Sequence, residues 1–109
     1  MEFQLYVIQR LSALIMAPLV IGHIVVMIYA VQGGLSAAEI LGRTQGSVIW
    51  GAFYGLFVLA ASAHAAIGLR NIAQEWLSLG GLALNAMAGL IGLGLLALGG
   101  RAVYAVVVL

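Results

Sequence analysis

Three long apolar segments of the chain, residues 11–31, 48–69 and 77–98, contain no Asp, Glu, Lys or Arg. Each is long enough for an α-helix to cross the hydrocarbon core of a bilayer, which takes roughly 20 residues for about 30 Å. Because 65% of the 109 residues are hydrophobic, too few polar side chains remain to cover a soluble domain. The sequence therefore predicts an all-α integral membrane protein with three transmembrane helices.

The segments between the apolar runs also carry structural information. Ser36 and Glu39 are spaced as in a capping box, which predicts a short interfacial helix between the first two spans. The first apolar run lacks a cleavage site of small residues, so we do not expect it to be a signal peptide. Within a single transmembrane domain of residues 1–109, the predicted spanning helices cover about residues 6–31, 48–70 and 77–100.

Charged residues are few: four Arg and three Glu, with no Lys or Asp, give a net charge of +1. So small a charge provides no basic surface for a nucleic acid. The chain has no Cys, which excludes disulfides, thiolate metal sites and Cys-ligated iron–sulfur clusters. Arginines lie near both predicted membrane faces, so the positive-inside rule does not orient the helices.

Two histidines lie inside the predicted spans, where an ionisable group is expensive and is therefore a functional candidate. His64 has small neighbours throughout residues 60–68, which either let another helix approach or leave space for a planar group. His23 has mostly bulky neighbours. For each, the alternatives are ligation of a haem or metal ion and a structural hydrogen bond. A ligating histidine must be neutral, and we expect its Nδ1–H to bond a carbonyl one turn back, near Ala60 or Leu19.

The two histidines differ in depth if Arg10 and Arg70 mark the same membrane face. His64 is six residues from Arg70, about 9 Å along the axis, whereas His23 is thirteen from Arg10, about 20 Å. Axial ligands of one metal lie about 2 Å from it and near one level. We therefore expect that the two histidines do not share one metal; if both are ligands, they belong to two separate sites, each completed by a ligand from a partner subunit. Haem is favoured over zinc, because haem iron needs only two axial imidazoles.

Arg10, near the start of the first helix, has polar neighbours in Gln9 and, one turn earlier, Tyr6. A guanidinium with a hydroxyl nearby, just inside the interface, suits a propionate carboxylate or a quinone carbonyl. The alternative is an arginine that extends to the lipid headgroups. Arg70 is expected to be an ordinary interfacial charge.

Two segments resemble the motifs of one known family, the cytochrome b membrane-anchor subunits of succinate dehydrogenase and fumarate reductase. Residues 9–13, Gln-Arg-Leu-Ser-Ala, resemble the first-helix motif His-Arg-x-Ser-Gly. Residues 64–71, His-Ala-Ala-Ile-Gly-Leu-Arg-Asn, resemble the second-helix motif His-x-x-x-Gly-x-Arg-His. Size and the three-helix layout also fit, so the resemblance covers most of the chain.

The resemblance implies a set of site residues. His64 would be an axial ligand of a haem iron nearer the N-terminal face. His23 would ligate a second, distal haem, as in two-haem members of the family. Arg10 would contact a haem propionate and the quinone, and Ser12 would lie nearby in the quinone pocket.

Three positions depart from the family pattern. Gln9 replaces the motif histidine that contacts a propionate, and Asn71 replaces the final histidine. Tyr6 stands where some members have a serine of the quinone site. Gln9 is kept as a candidate cofactor-binding residue and Tyr6 as a candidate quinone-binding residue.

The resemblance further implies a haem b anchor subunit of a succinate:quinone oxidoreductase, which carries electrons between an iron–sulfur subunit and membrane quinone. Its helices would form half of a haem-binding bundle completed by a second small anchor subunit, with one or two shared haems. It would hold the iron–sulfur and flavoprotein subunits at the surface of a bacterial or archaeal cytoplasmic membrane. Its N-terminus would be cytoplasmic, and it would have no dicarboxylate active site of its own.

Three other interpretations stay open. The first is a haem-free anchor or assembly subunit, in which both histidines only make interhelical hydrogen bonds. The second is a small transporter with His64 as a proton relay, although the helices show no polar stripe. The third is a haem-bearing anchor of a hydrogenase or formate dehydrogenase, for which four helices and more histidines are expected.

Overall fold

The computed structural model of the chain describes residues 2–108, which form four α-helices and no β-strand. Among these residues, the first, third and fourth helices are long and apolar enough to cross a membrane. The all-α architecture with three transmembrane helices is therefore confirmed. The helices are α1 (Glu2–Gly33), α2 (Ala37–Thr44), α3 (Val48–Trp76) and α4 (Gly81–Val107).

The long helices have different ends from those that the apolar segments predict. α1 begins before the predicted residue 6 and α3 continues past residue 70, because the Gln and Glu side chains in these extensions are good helix formers outside the hydrocarbon. α4 begins later than predicted, since Ser78 and Gly81 have φ angles of 54° and 59° that turn the chain first. It then continues beyond residue 100 to Val107.

The short helix α2 begins at a side-chain cap and is fixed to the end of α4. The Ser36 hydroxyl accepts a hydrogen bond from the Glu39 N–H (3.2 Å) and donates one to the Glu39 carboxylate (2.6 Å). At the other end of α2, the Thr44 hydroxyl donates to the Val106 carbonyl (2.6 Å). The predicted short helix is present, and it lies against the C-terminal end of α4.

The long helices pack with α3 in the centre. α3 contacts both α1 and α4, whereas α1 and α4 make almost no contact with each other. A groove floored by α3 therefore lies between α1 and α4. Few side chains are fully buried, and most large apolar side chains are exposed, as expected for surfaces that face lipid or another subunit.

Arg70, near the end of α3, joins all three long helices. It is only 6% exposed, so its guanidinium lies between the helices and not on the surface, where an ordinary interfacial charge is expected. Its Nε donates to the Asn85 side chain on α4 (3.1 Å), and its Nη2 donates to the Glu2 carboxylate on α1 (3.1 Å). Because Glu2 is largely exposed, this ion pair contributes little to stability, and its effect is to set how the helix ends meet.

α4 approaches α3 closely at Gly99, where an added Cβ would lie 2.6 Å from the Val58 Cγ1. Val58 is β-branched and holds one strongly preferred rotamer in a helix, so it cannot move aside without strain. We expect Gly99→Ala to lower the free energy of unfolding by about 1–3 kcal/mol, measured by thermal unfolding in detergent. Gly100→Ala is the matched control, because a Cβ there meets no described atom within 4 Å. Equal destabilisation by both substitutions would contradict this packing.

Candidate functional site

The two motif segments lie against each other in the fold. Ser12 on α1 faces His64 on α3, with 3.3 Å between the serine Oγ and the imidazole Nδ1. Gln9 lies over Gly68, where an added Cβ would be 3.6 Å from the Gln9 Nε2. Going from the first pair to the second, the position moves back along α1 from residue 12 to 9 and forward along α3 from residue 64 to 68. This is the pattern of two antiparallel helices, so these residues form one continuous interface between α1 and α3.

The two hydrogen-bond contacts of Ser12 favour one tautomer of His64. Ser12 is 5% exposed, and its hydroxyl oxygen lies 2.9 Å from the Gln9 carbonyl oxygen. A hydroxyl has one proton, and in this geometry the shorter contact gives it to the Gln9 carbonyl. With its proton used in this way, Ser12 can only accept from His64, an arrangement that requires the tautomer protonated at Nδ1, with a lone pair on Nε2.

The acceptor for the His64 Nδ1–H differs from the expected one. A carbonyl near Ala60 was the expected acceptor, but the structure provides the Ser12 hydroxyl on the neighbouring helix. The reason is the packing of α1 on α3, which brings the Ser12 Oγ within 3.3 Å of the His64 Nδ1. The His64 Nε2 makes no hydrogen bond within residues 2–108.

His23 lies at a different level of the bundle. It is eleven residues from Ser12 along α1, about 16 Å. Its ring contacts Tyr54 and Phe57 on α3, with centroid distances of 6.2 and 5.2 Å. These aromatic residues precede His64 by ten and seven residues, about 15 and 10 Å. Both helices thus separate the imidazoles by about 10–15 Å, too far for one metal and in agreement with the predicted difference in depth.

His23 lines an apolar cavity of about 380 Å³ in the groove between α1 and α4. Its Nδ1 is buried and has no hydrogen-bond partner within residues 2–108, so the expected bond to a carbonyl near Leu19 is absent. Among the described residues, no hydroxyl lies within hydrogen-bond distance of the His23 Nδ1 as that of Ser12 does for His64. The cavity is lined from α3 by Phe57, Val58 and Ala61 and from α4 by Gly99 and Val103.

A second cavity, of about 370 Å³ and lined mainly by polar side chains, lies near the N-terminal end of α1. Tyr6, Gln9 and Asn71 all line it, so the three positions that depart from the family motifs share one pocket. The Gln9 Oε1 is buried without a hydrogen-bond partner among the described residues. Arg10 is exposed, and its guanidinium lies 5.8 Å from the centre of the Tyr6 ring. Arg10 therefore lies beside this pocket and not against the His64 imidazole.

The family comparison decides what kind of subunit contains this arrangement. A family model described as the succinate dehydrogenase/fumarate reductase transmembrane subunit matches residues 1–108. The chain belongs to this family. No match was found among curated proteins or among solved structures.

As a succinate dehydrogenase/fumarate reductase transmembrane subunit, the chain is an integral membrane protein that associates with the other subunits of an oxidoreductase complex. The resemblance drawn from the two motifs is confirmed at the level of the family. The motif segments that carry this resemblance are also those that the fold brings into contact, at Ser12 and His64.

Proposed function

We propose that this chain is the haem b membrane anchor of a succinate:quinone oxidoreductase and carries electrons between an iron–sulfur subunit and membrane quinone. The supporting observation is the 3.3 Å contact between the Ser12 Oγ and the His64 Nδ1, together with a His64 Nε2 that makes no hydrogen bond within residues 2–108. A metal-ligating histidine almost always donates its other ring N–H to a second group. The Ser12 hydroxyl is placed to accept such a bond from the His64 Nδ1–H.

His64 would provide one axial ligand, and a bound haem would supply one-electron redox chemistry. The second ligand would come from a partner subunit. His23 lies about 10–15 Å away along the helices, and residues 2–108 contain no cluster of three or more metal-ligating side chains. We take that partner to be a second small anchor subunit, with iron–sulfur and flavoprotein subunits at the membrane surface. The N-terminal end of α1 would face the cytoplasm of a bacterial or archaeal cell.

His23 is proposed as an axial ligand of a distal haem, again with a matching ligand from the partner subunit. Two observations support this role: its separate level in the bundle and its position in an apolar cavity between α1 and α4. It differs from His64 in having no partner for Nδ1. The number of haems per complex therefore tests this part of the proposal separately.

Quinone binding is proposed at the polar pocket near the N-terminal end of α1. The Tyr6 hydroxyl can donate to a quinone carbonyl, and the Arg10 guanidinium beside it favours negative charge on a quinone or a propionate. Gln9 adds an amide whose Oε1 is unpaired. Ser12, which the resemblance places at the quinone, is buried and bonded to Gln9 and His64, so Tyr6 and Arg10 are the better placed donors.

The second candidate function is a haem-free anchor or assembly subunit. The observation that favours it is again the contact between Ser12 and His64, because that contact is also a complete interhelical hydrogen bond. Such bonds hold transmembrane helices together without any cofactor. The two functions differ in whether the His64 Nε2 binds iron.

The deciding experiment is a reduced-minus-oxidised absorption spectrum of the purified membrane complex, with extraction and quantification of its haem. We expect a b-type band, with haem in stoichiometric amount relative to the subunits. A complex with its full set of subunits and no haem would establish the haem-free anchor instead.

A further inference from the structure

We infer that Ser12 is a positioning residue for His64, whose hydroxyl fixes the imidazole tautomer and orientation and thereby tunes the iron that Nε2 would ligate. This inference rests on the proposed function, because haem is the group that Nε2 would bind. Ser12 is 5% exposed, so water does not compete for its hydrogen bonds. The inference rests on the two hydrogen-bond contacts of its hydroxyl and on the single proton that the hydroxyl has.

The hydrogen bonds run in one direction because the Ser12 hydroxyl has two different neighbours. It donates to the Gln9 carbonyl on its own helix (2.9 Å) and faces the His64 Nδ1 on the next helix (3.3 Å). A hydroxyl that already donates is a better acceptor, since hydrogen bonds in a chain polarise one another. This series of hydrogen bonds, from His64 through Ser12 to Gln9, therefore keeps the proton on Nδ1 and directs the Nε2 lone pair away from Ser12.

This arrangement affects the iron through the electronic character of the imidazole. A histidine that donates its Nδ1–H is a more basic ligand than one that does not. A more basic ligand favours ferric over ferrous iron, so the Ser12 bond lowers the reduction potential. Because the acceptor is on α1 and the ligand on α3, the potential also depends on how these two helices pack.

The variants to compare are Ser12→Ala, which removes the hydroxyl, and Ser12→Thr, which retains it. In redox titrations of the whole membrane complex, we expect Ser12→Ala to lower the ratio of ferric to ferrous haem iron at a given potential by about three- to tenfold. For a one-electron couple this is a rise of about 28–59 mV in midpoint potential. The low-spin EPR signal should shift as well, because the ring is free to rotate. Ser12→Thr should stay near the wild type in both measurements.

Ser62→Ala is the matched control, because Ser62 is buried to the same degree on α3 and lies two residues from His64. It should change neither the potential nor the EPR signal. Ser12→Ala with an unchanged potential and EPR signal would overturn the inference. So would a shift in Ser12→Thr as large as that in Ser12→Ala, since the effect would then come from packing and not from the hydroxyl.

The tautomer is also measurable without reference to haem, by ¹⁵N solid-state NMR of the histidine-labelled complex. We expect the wild-type His64 to be protonated at Nδ1, and Ser12→Ala to shift this resonance. A wild-type His64 protonated at Nε2 alone would overturn the inference. A complex that contains no haem contradicts the proposed function, and the NMR result then still decides whether Ser12 positions His64.

Discussion

His64→Gln is expected to remove the b-type absorption band of the haem bound at this position. The loss is complete in a one-haem complex and about half of the band in a two-haem complex. The reason is that a glutamine amide is a poor ligand for haem iron, whereas a neutral imidazole is a common one. The measurement is the reduced-minus-oxidised spectrum of the purified complex, scaled to the amount of its subunits.

The comparison with His64→Ala separates ligation from helix packing. Glutamine still presents a polar group to Ser12 across the interface between α1 and α3, whereas alanine does not. If His64 only joins the two helices, the glutamine variant keeps its haem and the alanine variant loses stability. If His64 is a ligand, both variants lose the band, and the Ser62→Ala control keeps it. A band of normal size in His64→Gln would contradict the assignment.

The membrane-spanning fold can be predicted from the sequence because its determinants are local. A run of about 20 apolar residues predicts a spanning helix whatever its neighbours are. Ser36 and Glu39 predict the start of α2 within a few residues, and the structure shows that cap. Helix ends are less well predicted, since polar helix formers extend α1 back to Glu2 and α3 on to Trp76.

The site depends on how the helices are rotated against each other, which a local pattern does not specify. The different depths of His23 and His64 are predictable, because they need only the rise per residue. That Ser12 accepts from His64 is not predictable in this way, because it depends on which face of α1 meets α3. One feature could have suggested it: a small polar residue in an apolar run is typical of helix–helix interfaces in membranes. The burial of Arg70 likewise depends on partners from two other helices.

His23→Ala is expected to remove the distal haem and to leave the haem at His64 in place. A two-haem complex would then retain about one haem, because the distal iron loses an axial ligand from this chain. The measurement is haem extraction against subunit concentration. Ile24→Ala is the matched control, since Ile24 is the next residue on α1 and is half exposed on the outside of the bundle. We expect it to retain the full haem content.

Thermal stability gives an independent measure of the same assignment. A buried nitrogen without a hydrogen-bond partner, such as the His23 Nδ1, destabilises a fold by roughly 1–3 kcal/mol. If His23 binds nothing, His23→Leu removes this penalty within an apolar cavity and raises the unfolding temperature without changing the haem content. If His23 ligates iron, the same substitution removes haem and lowers that temperature.

Haem losses in His23→Ala and His64→Gln should also add, because groups about 10–15 Å apart act independently. A complex with one haem, whose haem content is unchanged in His23→Ala, would contradict the distal site. That one haem would then be assigned to His64.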